Sequence, residues 1–288
     1  MATIFRSLTS VVLIIILASL PLGFHNGDAK VVFSIIPMID EIRDFIQGLK
    51  SGESWLYLQG ERERPLLEDL IPYWLSSFLY LTVSAVIAVI LSVLFGVFLW
   101  KKGGRLLNAV LGFTGMLPDF ILVLLLQLLT VFVHKETGIK TVKVASSSMS
   151  EPAIFLPIFT LVIIPLFYLL RSLSERSHEV KGEDYILAAK AKGLRKGSIY
   201  LFHVFLNVLP FLKADLHKIL SIMLGNLFII EYLYNTRGIT ALLFVQQIQF
   251  GYQYNLVIFS LLSLLLLYLV SLYTLKLLLW LIERGLQR

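Results

Sequence analysis

Cysteine is absent from all 288 residues, which excludes disulfides, thiol nucleophiles and thiolate metal ligands. Charge is sparse. Asp, Glu, Lys and Arg make up 15% of the chain against 57% hydrophobic residues, with a mean hydropathy of +0.82. Soluble domains carry about 25% charged residues, so a soluble globular fold is excluded. There is no phosphate-cradling Gly-rich loop ending in Lys-Ser or Lys-Thr, no spaced set of metal ligands and no Ser-His-Asp order. His134, His178, His203 and His217 are scattered, and a lone histidine at a membrane edge is more often a hydrogen-bonded structural residue than a ligand. Neither an internal repeat nor a low-complexity tract is present. The net charge of +6 does not mark a nucleic-acid binder, because the basic residues gather at the ends of apolar runs.

Those runs are long enough to cross a bilayer. They cover Leu8–Phe24, Tyr73–Trp100, Leu106–Val133, Ala153–Leu170, Leu209–Ile230 and Tyr254–Ile282. The expected fold is an all-α integral membrane protein of about six transmembrane helices. The first run is near the minimum length, so a cleaved signal peptide competes with a retained helix. The small-residue site at Gly27-Asp28-Ala29 lies far from the apolar core, which favours retention. Six spans put both termini on one side. With that side cytoplasmic, inside segments hold thirteen Lys and Arg and outside segments nine, the direction the positive-inside rule requires. The cluster Lys101, Lys102 and Arg105 then lies inside.

Two regions follow: residues 1–72, a first helix with an extracytoplasmic amphipathic segment, and residues 73–288, the membrane domain. In the former, Ile39, Ile42, Phe45, Ile46 and Leu49 recur at a helical rhythm, predicting a helix against the outer membrane surface or the other helices. Gly60–Pro65 reads as a charged turn. In the latter, Pro118 removes a backbone hydrogen bond and is expected to kink or break its span. Asp119, beside it, either faces the pore, water or a partner, or merely caps a helix at the interface.

The stretch Glu183–Pro210 lies between spans and is not itself one. Gly182 can cap a short helix, with Glu183 and Asp184 in its first turn and Lys190 and Lys192 in its last, as the helix dipole favours. Gly193 is placed to end it in a left-handed conformation. Ala188, Ala189 and Ala191 give it a low, smooth surface. From spacing alone this is either an ordinary connector or a helix that another protein approaches closely.

The run Glu183-Asp184-Tyr185, then Ala189, Ala191, Lys192, Gly193 and Leu194, then His203, Asn207 and Pro210 resembles the cytoplasmic coupling loop of bacterial ABC-importer membrane subunits. The similarity is to the branch that carries dipeptides, oligopeptides and nickel. Pro118 and Phe120 match that family's P-x-F, with Asp119 at its variable position. Ile230, Glu231, Tyr234 and Gly238 match part of an outer-gate motif whose proline and second glycine are absent here. The resemblance covers roughly residues 70 to 280. It implies a non-catalytic, pore-forming permease in the bacterial cell membrane, coupled through residues 183–194 to two ATP-binding subunits that alone use ATP. It further implies a second permease, usually a different one, and an extracytoplasmic substrate-binding protein. The coupling residues so implied are Glu183, Asp184, Tyr185, Ala188, Ala189, Gly193 and Leu194.

Lys213, Asp215, His217 and Lys218 offer the inner mouth of a translocation path, and Asp215 and Lys218 are spaced to pair. The path or gate candidates are therefore Pro118, Asp119, Asp215, Glu231 and Gly238. An ion-coupled secondary transporter is the alternative, using Asp119 with Asp215, His217 and Lys218 as a proton or ion path. The transported solute is not specified by any of these residues.

Overall fold

A computed structural model describes residues 2–26, 31–99, 112, 118–139 and 142–287. The basic cluster Lys101, Lys102 and Arg105 lies outside them. The chain begins with helix α1 (Ala2–Ser19), a 3-10 turn (Leu20–Gly23) and the antiparallel pair β1 (Phe24–Asn26) and β2 (Val31–Phe33). Helix α2 (Ile36–Ser51) follows, then the hairpin β3 (Leu56–Gln59) and β4 (Arg62–Pro65). Helix α3 (Leu66–Ser92) ends in a π-helical turn, Val93–Leu99. Next come α4 (Asp119–Thr137), α5 (Phe155–Lys181) and the short α6 (Asp184–Ala191). A second π-helical turn, Ile199–Phe205, leads into α7 (Leu206–Tyr234), followed by α8 (Ile239–Phe250) and α9 (Tyr254–Leu286).

Among the described residues, five helices are long and apolar enough to span a membrane: Leu66–Phe98, Phe120–Thr137, Phe155–Lys181, Lys196–Tyr234 and Tyr254–Leu286. The first apolar run is helical too, but its described apolar part, Thr9–Gly23, is shorter than these. Helix α5 runs eleven residues past the Leu170 boundary read from the sequence, to Lys181. Leu173 and Ser177 continue its buried stripe, and Arg171–Glu175 (3.2 Å) and Arg176–Glu179 (2.9 Å) brace its exposed face at helical spacing. Pro118 is the N-cap of α4, with ψ 140°, outside the helical region; of the apolar run before it only residue 112 is among the described residues, so the expected break itself lies outside them. Asp119 is the first residue of α4; its side chain lies outside the described residues.

The chain divides into two compact units, Met1–Ser76 with Arg237–Leu267, and Ser77–Thr236 with Tyr268–Arg288. In the first, Tyr57, Leu66, Leu70, Ile239, Leu242 and Leu256 form one core. Ala18, Phe45, Tyr254, Val257 and Ile258 form another. The sequence reading missed both β pairs, because each strand is only three or four residues long. The β3–β4 hairpin has an unusual brace. The Gln253 amide accepts from the Leu58 N–H (2.7 Å) and donates to the Leu58 carbonyl (2.8 Å), so one side chain satisfies an edge residue as a third strand would. Gln253→Ala removes both bonds. We expect the Leu58 amide to exchange its hydrogen about tenfold faster or more, since two hydrogen bonds are worth ~1–3 kcal/mol. Unchanged exchange measured by mass spectrometry would show that the hairpin holds itself.

The second unit is a helix bundle centred on α5 and α7. Leu209, Leu212, Leu216, Ile219, Leu220, Met223 and Leu227 form the buried face of α7. Gly96 lets the first π-helical turn lie close on α5: a Cβ there would sit 3.3 Å from Leu173 Cβ and 3.4 Å from the Leu170 carbonyl oxygen.

Candidate coupling helix and translocation path

Helix α6 has eight residues, about two turns. Glu183 is its N-cap, in extended geometry (φ −71°, ψ 147°), so the helix starts one residue later than the sequence suggested. Gly182 instead closes α5, its N–H donating to the Glu179 carbonyl at 3.0 Å. Asp184 lies in the first turn and Lys190 in the last, both favourable to the helix dipole. Gly193 adopts φ +75°. Its N–H donates to the Lys190 carbonyl (3.0 Å), and that of Leu194 to the Ala189 carbonyl (3.3 Å). These are the two bonds of a Schellman ending, which a glycine at that position permits.

The two faces of α6 differ. Ile186 (0% exposed) and Ala189 (5%) point into the protein, where α6 packs on α5 and on Ile199–Phe205. Tyr185 (44%), Leu187 (51%) and Leu194 (42%) are exposed, as is Ala188. This corrects the expectation for Ala189. It is small because α5 and the π-helical turn lie against it, and Ala188 is the alanine a partner can reach. Burial, with the charge of Glu183 beside it, pushes the Tyr185 hydroxyl above its ordinary pKa, so it stays a neutral donor.

Lys181, which the sequence reading passed over, ties the base of this helix to the bundle. Its ammonium donates to the Val97 carbonyl (3.3 Å) and lies 4.6 Å from the centre of the Tyr200 ring. Ser177 donates to the same carbonyl (3.5 Å), and Phe98 stacks on Tyr200 with centroids 6.3 Å apart. Val97 lies in a π-helical turn, whose irregular bonding leaves carbonyls for side-chain donors. The spacing of Val97, Lys181 and Tyr200 in sequence gives no hint of this meeting.

The polar residues of α7 sort onto two faces. Towards α5, Asp215 accepts from the Tyr168 hydroxyl (3.1 Å) and the Ser172 hydroxyl (2.7 Å), while Lys218 lies 4.2 Å above the Tyr168 ring. The spacing had suggested a direct Asp215–Lys218 pair; the tyrosine stands between them and serves both. Towards α9, Lys213 pairs with Glu283. His217 Nδ1 meets the Tyr268 hydroxyl (2.7 Å) and its Nε2 meets the Lys276 ammonium (3.3 Å).

At the other end of α7, Glu231 is 2% exposed and accepts from the Ser77 hydroxyl of α3. One turn on, the Tyr234 hydroxyl meets Thr160 at 2.9 Å, and Gln127 of α4 donates to the Leu233 carbonyl (2.9 Å). Gly238 is the buried N-cap of α8 and belongs to the first unit. Among the described residues no three His, Asp or Glu side chains are grouped to hold a metal ion.

The chain is similar to the metal-staphylopine import system permease protein CntB of Staphylococcus aureus (strain NCTC 8325 / PS 47). The two are 24% identical over 188 residues, 64% of this chain and 57% of that relative, so the match spans little more than half of the relative's length. Residues 88–288 match the family described as the binding-protein-dependent transport system inner membrane component. That match takes in α4 to α9 with the short helix α6 between two membrane-length helices. The chain therefore belongs to the binding-protein-dependent transport system inner membrane component family.

Proposed function

We propose that this chain is the pore-forming permease subunit of an ATP-driven importer, and that α6 docks on a separate ATPase. The observation that carries the reading is the geometry of α6. It is held in the protein by Ile186 and Ala189, closed rigidly at Gly193, and leaves Tyr185, Leu187 and Leu194 exposed between Phe155–Lys181 and Lys196–Tyr234. Exposed apolar side chains on a capped two-turn helix offer a contact that a groove on another protein can close over. Residues Glu183, Asp184 and Ala188 complete the outward side. ATP is used by the partner, of which two copies serve one transporter. A second permease, different from this one, completes the pore, and an extracytoplasmic binding protein delivers the solute. The location is the bacterial cell membrane, with both termini cytoplasmic. The metal-staphylopine relative and the peptide-type coupling loop together favour a short peptide or a metal chelate as cargo.

The test is co-purification of the ATPase with tagged permease. Leu187 is 51% exposed, so Leu187→Glu leaves the permease fold intact and puts a charge into the proposed contact. The expected result is about a tenfold loss of bound ATPase, equivalent to ~1.4 kcal/mol, with uptake falling in step. Full ATPase recovery and normal uptake would refute the docking role. Ala189→Trp is the wrong probe, because overpacking a buried site costs ~1–3 kcal/mol by itself.

A further inference from the structure

Helix α2 carries an apolar surface that the described chain covers only in part. Ile35, Ile39, Ile46 and Leu49 are 58%, 51%, 51% and 38% exposed and fall on one stripe of a 3.6-residue helix, on which Ile42 is half-buried against the core of Ala18, Phe45 and Tyr254. Scattered surface hydrophobic residues need no explanation, but a continuous stripe does. On the adjoining side of the same helix, Met38, Phe45 and Gly48 are buried. Half of the apolar arc therefore packs on protein and half does not.

The packed half fixes the level of the helix. Phe45 meets the edge of Tyr254 at 5.6 Å and Phe259 at 5.8 Å, at the start of the membrane-length helix α9, and shares a core with Ala18 near the end of α1. Trp55 also lies against Phe259, at 4.6 Å. Tyrosine and tryptophan at the end of a span mark the headgroup level of a bilayer. The polar side of α2 carries Glu41 and Asp44, which line an open cavity of about 580 Å³, where burial and the neighbouring Asp44 raise the Glu41 pKa. Along the edge of the exposed stripe, Ile39, Arg43, Ile46 and Lys50 follow one another at four-, three- and four-residue steps. Two cations thus alternate with two isoleucines in one row, Arg43 lying 3.5 Å from the exposed Asp40 carboxylate. That arrangement lets apolar stems lie in hydrocarbon while charged heads reach phosphates.

From the depth, the stripe and the bordering cations together we infer that α2 is an interfacial helix that binds phospholipid. Its isoleucine stripe lies among acyl chains at the bilayer surface nearest Tyr254, with Arg43 and Lys50 on the headgroup phosphates. The inference rests on the membrane reading of α9 but not on ATPase coupling.

The absence of native cysteine allows a direct test with single-cysteine permease in nanodiscs. Ile46→Cys, Ile39→Cys, Asp44→Cys and, as a span control, Leu266→Cys are labelled with an environment-sensitive fluorophore. Lipids brominated near the headgroup end of the acyl chain are expected to quench most of the emission at positions 46 and 39. The label at position 44 should instead respond to aqueous iodide. Iodide quenching at 46 and 39 without quenching by brominated lipid would overturn the inference. So would shielding of both positions from both quenchers, which would mean that a protein covers the stripe. Leu266 is 52% exposed in the middle of α9, so its label distinguishes the failures. Leu266 is read with lipid brominated near the chain terminus, which reaches the bilayer middle: if it is quenched there and the α2 labels are not quenched by the shallow bromines, only the helix assignment falls; if Leu266 is also silent, the membrane reading falls with it.

Discussion

A permease carrying Gly193→Val is expected to reach the membrane and lose most of its substrate uptake, whereas Gly193→Asn keeps it. The space around Gly193 is open, with nothing within 4 Å of a Cβ placed there, so steric collision is not the issue. The backbone is. At φ +75° an ordinary L-residue pays roughly 1–2 kcal/mol, more when β-branched, while asparagine tolerates the left-handed region. Valine therefore pulls the residue out of that region and breaks the bonds from Gly193 to Lys190 and from Leu194 to Ala189. The ending of α6 unwinds, and Leu194, exposed as Leu187 is, loses its fixed position. The bundle should be untouched, because Gly193 contributes no side chain to it. Uptake, ATPase co-purification and membrane yield are measured for both variants. Equal uptake by the valine and asparagine forms would show that the helix ending has no part in coupling.

Gly193 was legible because its requirement is local: one backbone conformation that one residue type adopts readily. Pro118 acts locally too, standing as the N-cap of α4. The apolar spans were legible from length and composition. The faces of α6 were not. Three alanines within four positions look alike in sequence, and only packing on α5 and Ile199–Phe205 separates the buried Ala189 from the exposed Ala188. Asp215 and Lys218 had the spacing of a pair, yet Tyr168 from another helix takes both, which no local pattern announces. Lys181 escaped notice for a related cause: its partner is a backbone carbonyl in a π-helical turn 84 residues away. The short strands carried too few residues for an alternating pattern, and Gln253 supports one of them from 195 residues away. Local chemistry was readable; side-chain choices made by tertiary packing were not.

Glu231→Leu is expected to destabilise the purified permease by ~1–3 kcal/mol, the cost of removing a partner from a buried hydrogen bond. The outer-gate motif that Glu231 partly matches implies a gate role for its loop. In this structure the carboxyl is buried. The side chain is 2% exposed and takes the Ser77 hydroxyl from α3, one turn from Tyr234, which is fully buried and bonded to Thr160. That is the position of a residue fastening α7 to α3. Glu231→Gln retains an oxygen acceptor of similar reach, so it should keep both the fold and most of the uptake. Ser77→Ala with Glu231→Leu removes both partners, and replacing both ends of a buried bond with apolar groups costs less than stranding one. The double variant should therefore lose less than the sum of the single losses. Survival of detergent-purified protein through a temperature series reads stability, with each kcal/mol worth about 2–4 °C in a chain of this order of size. Uptake in cells is measured beside it. Strict additivity would mean that Ser77 and Glu231 do not act as a pair. A Glu231→Gln variant with unchanged stability and abolished uptake would show that the carboxyl's charge is used in transport, and the fastening account would fall.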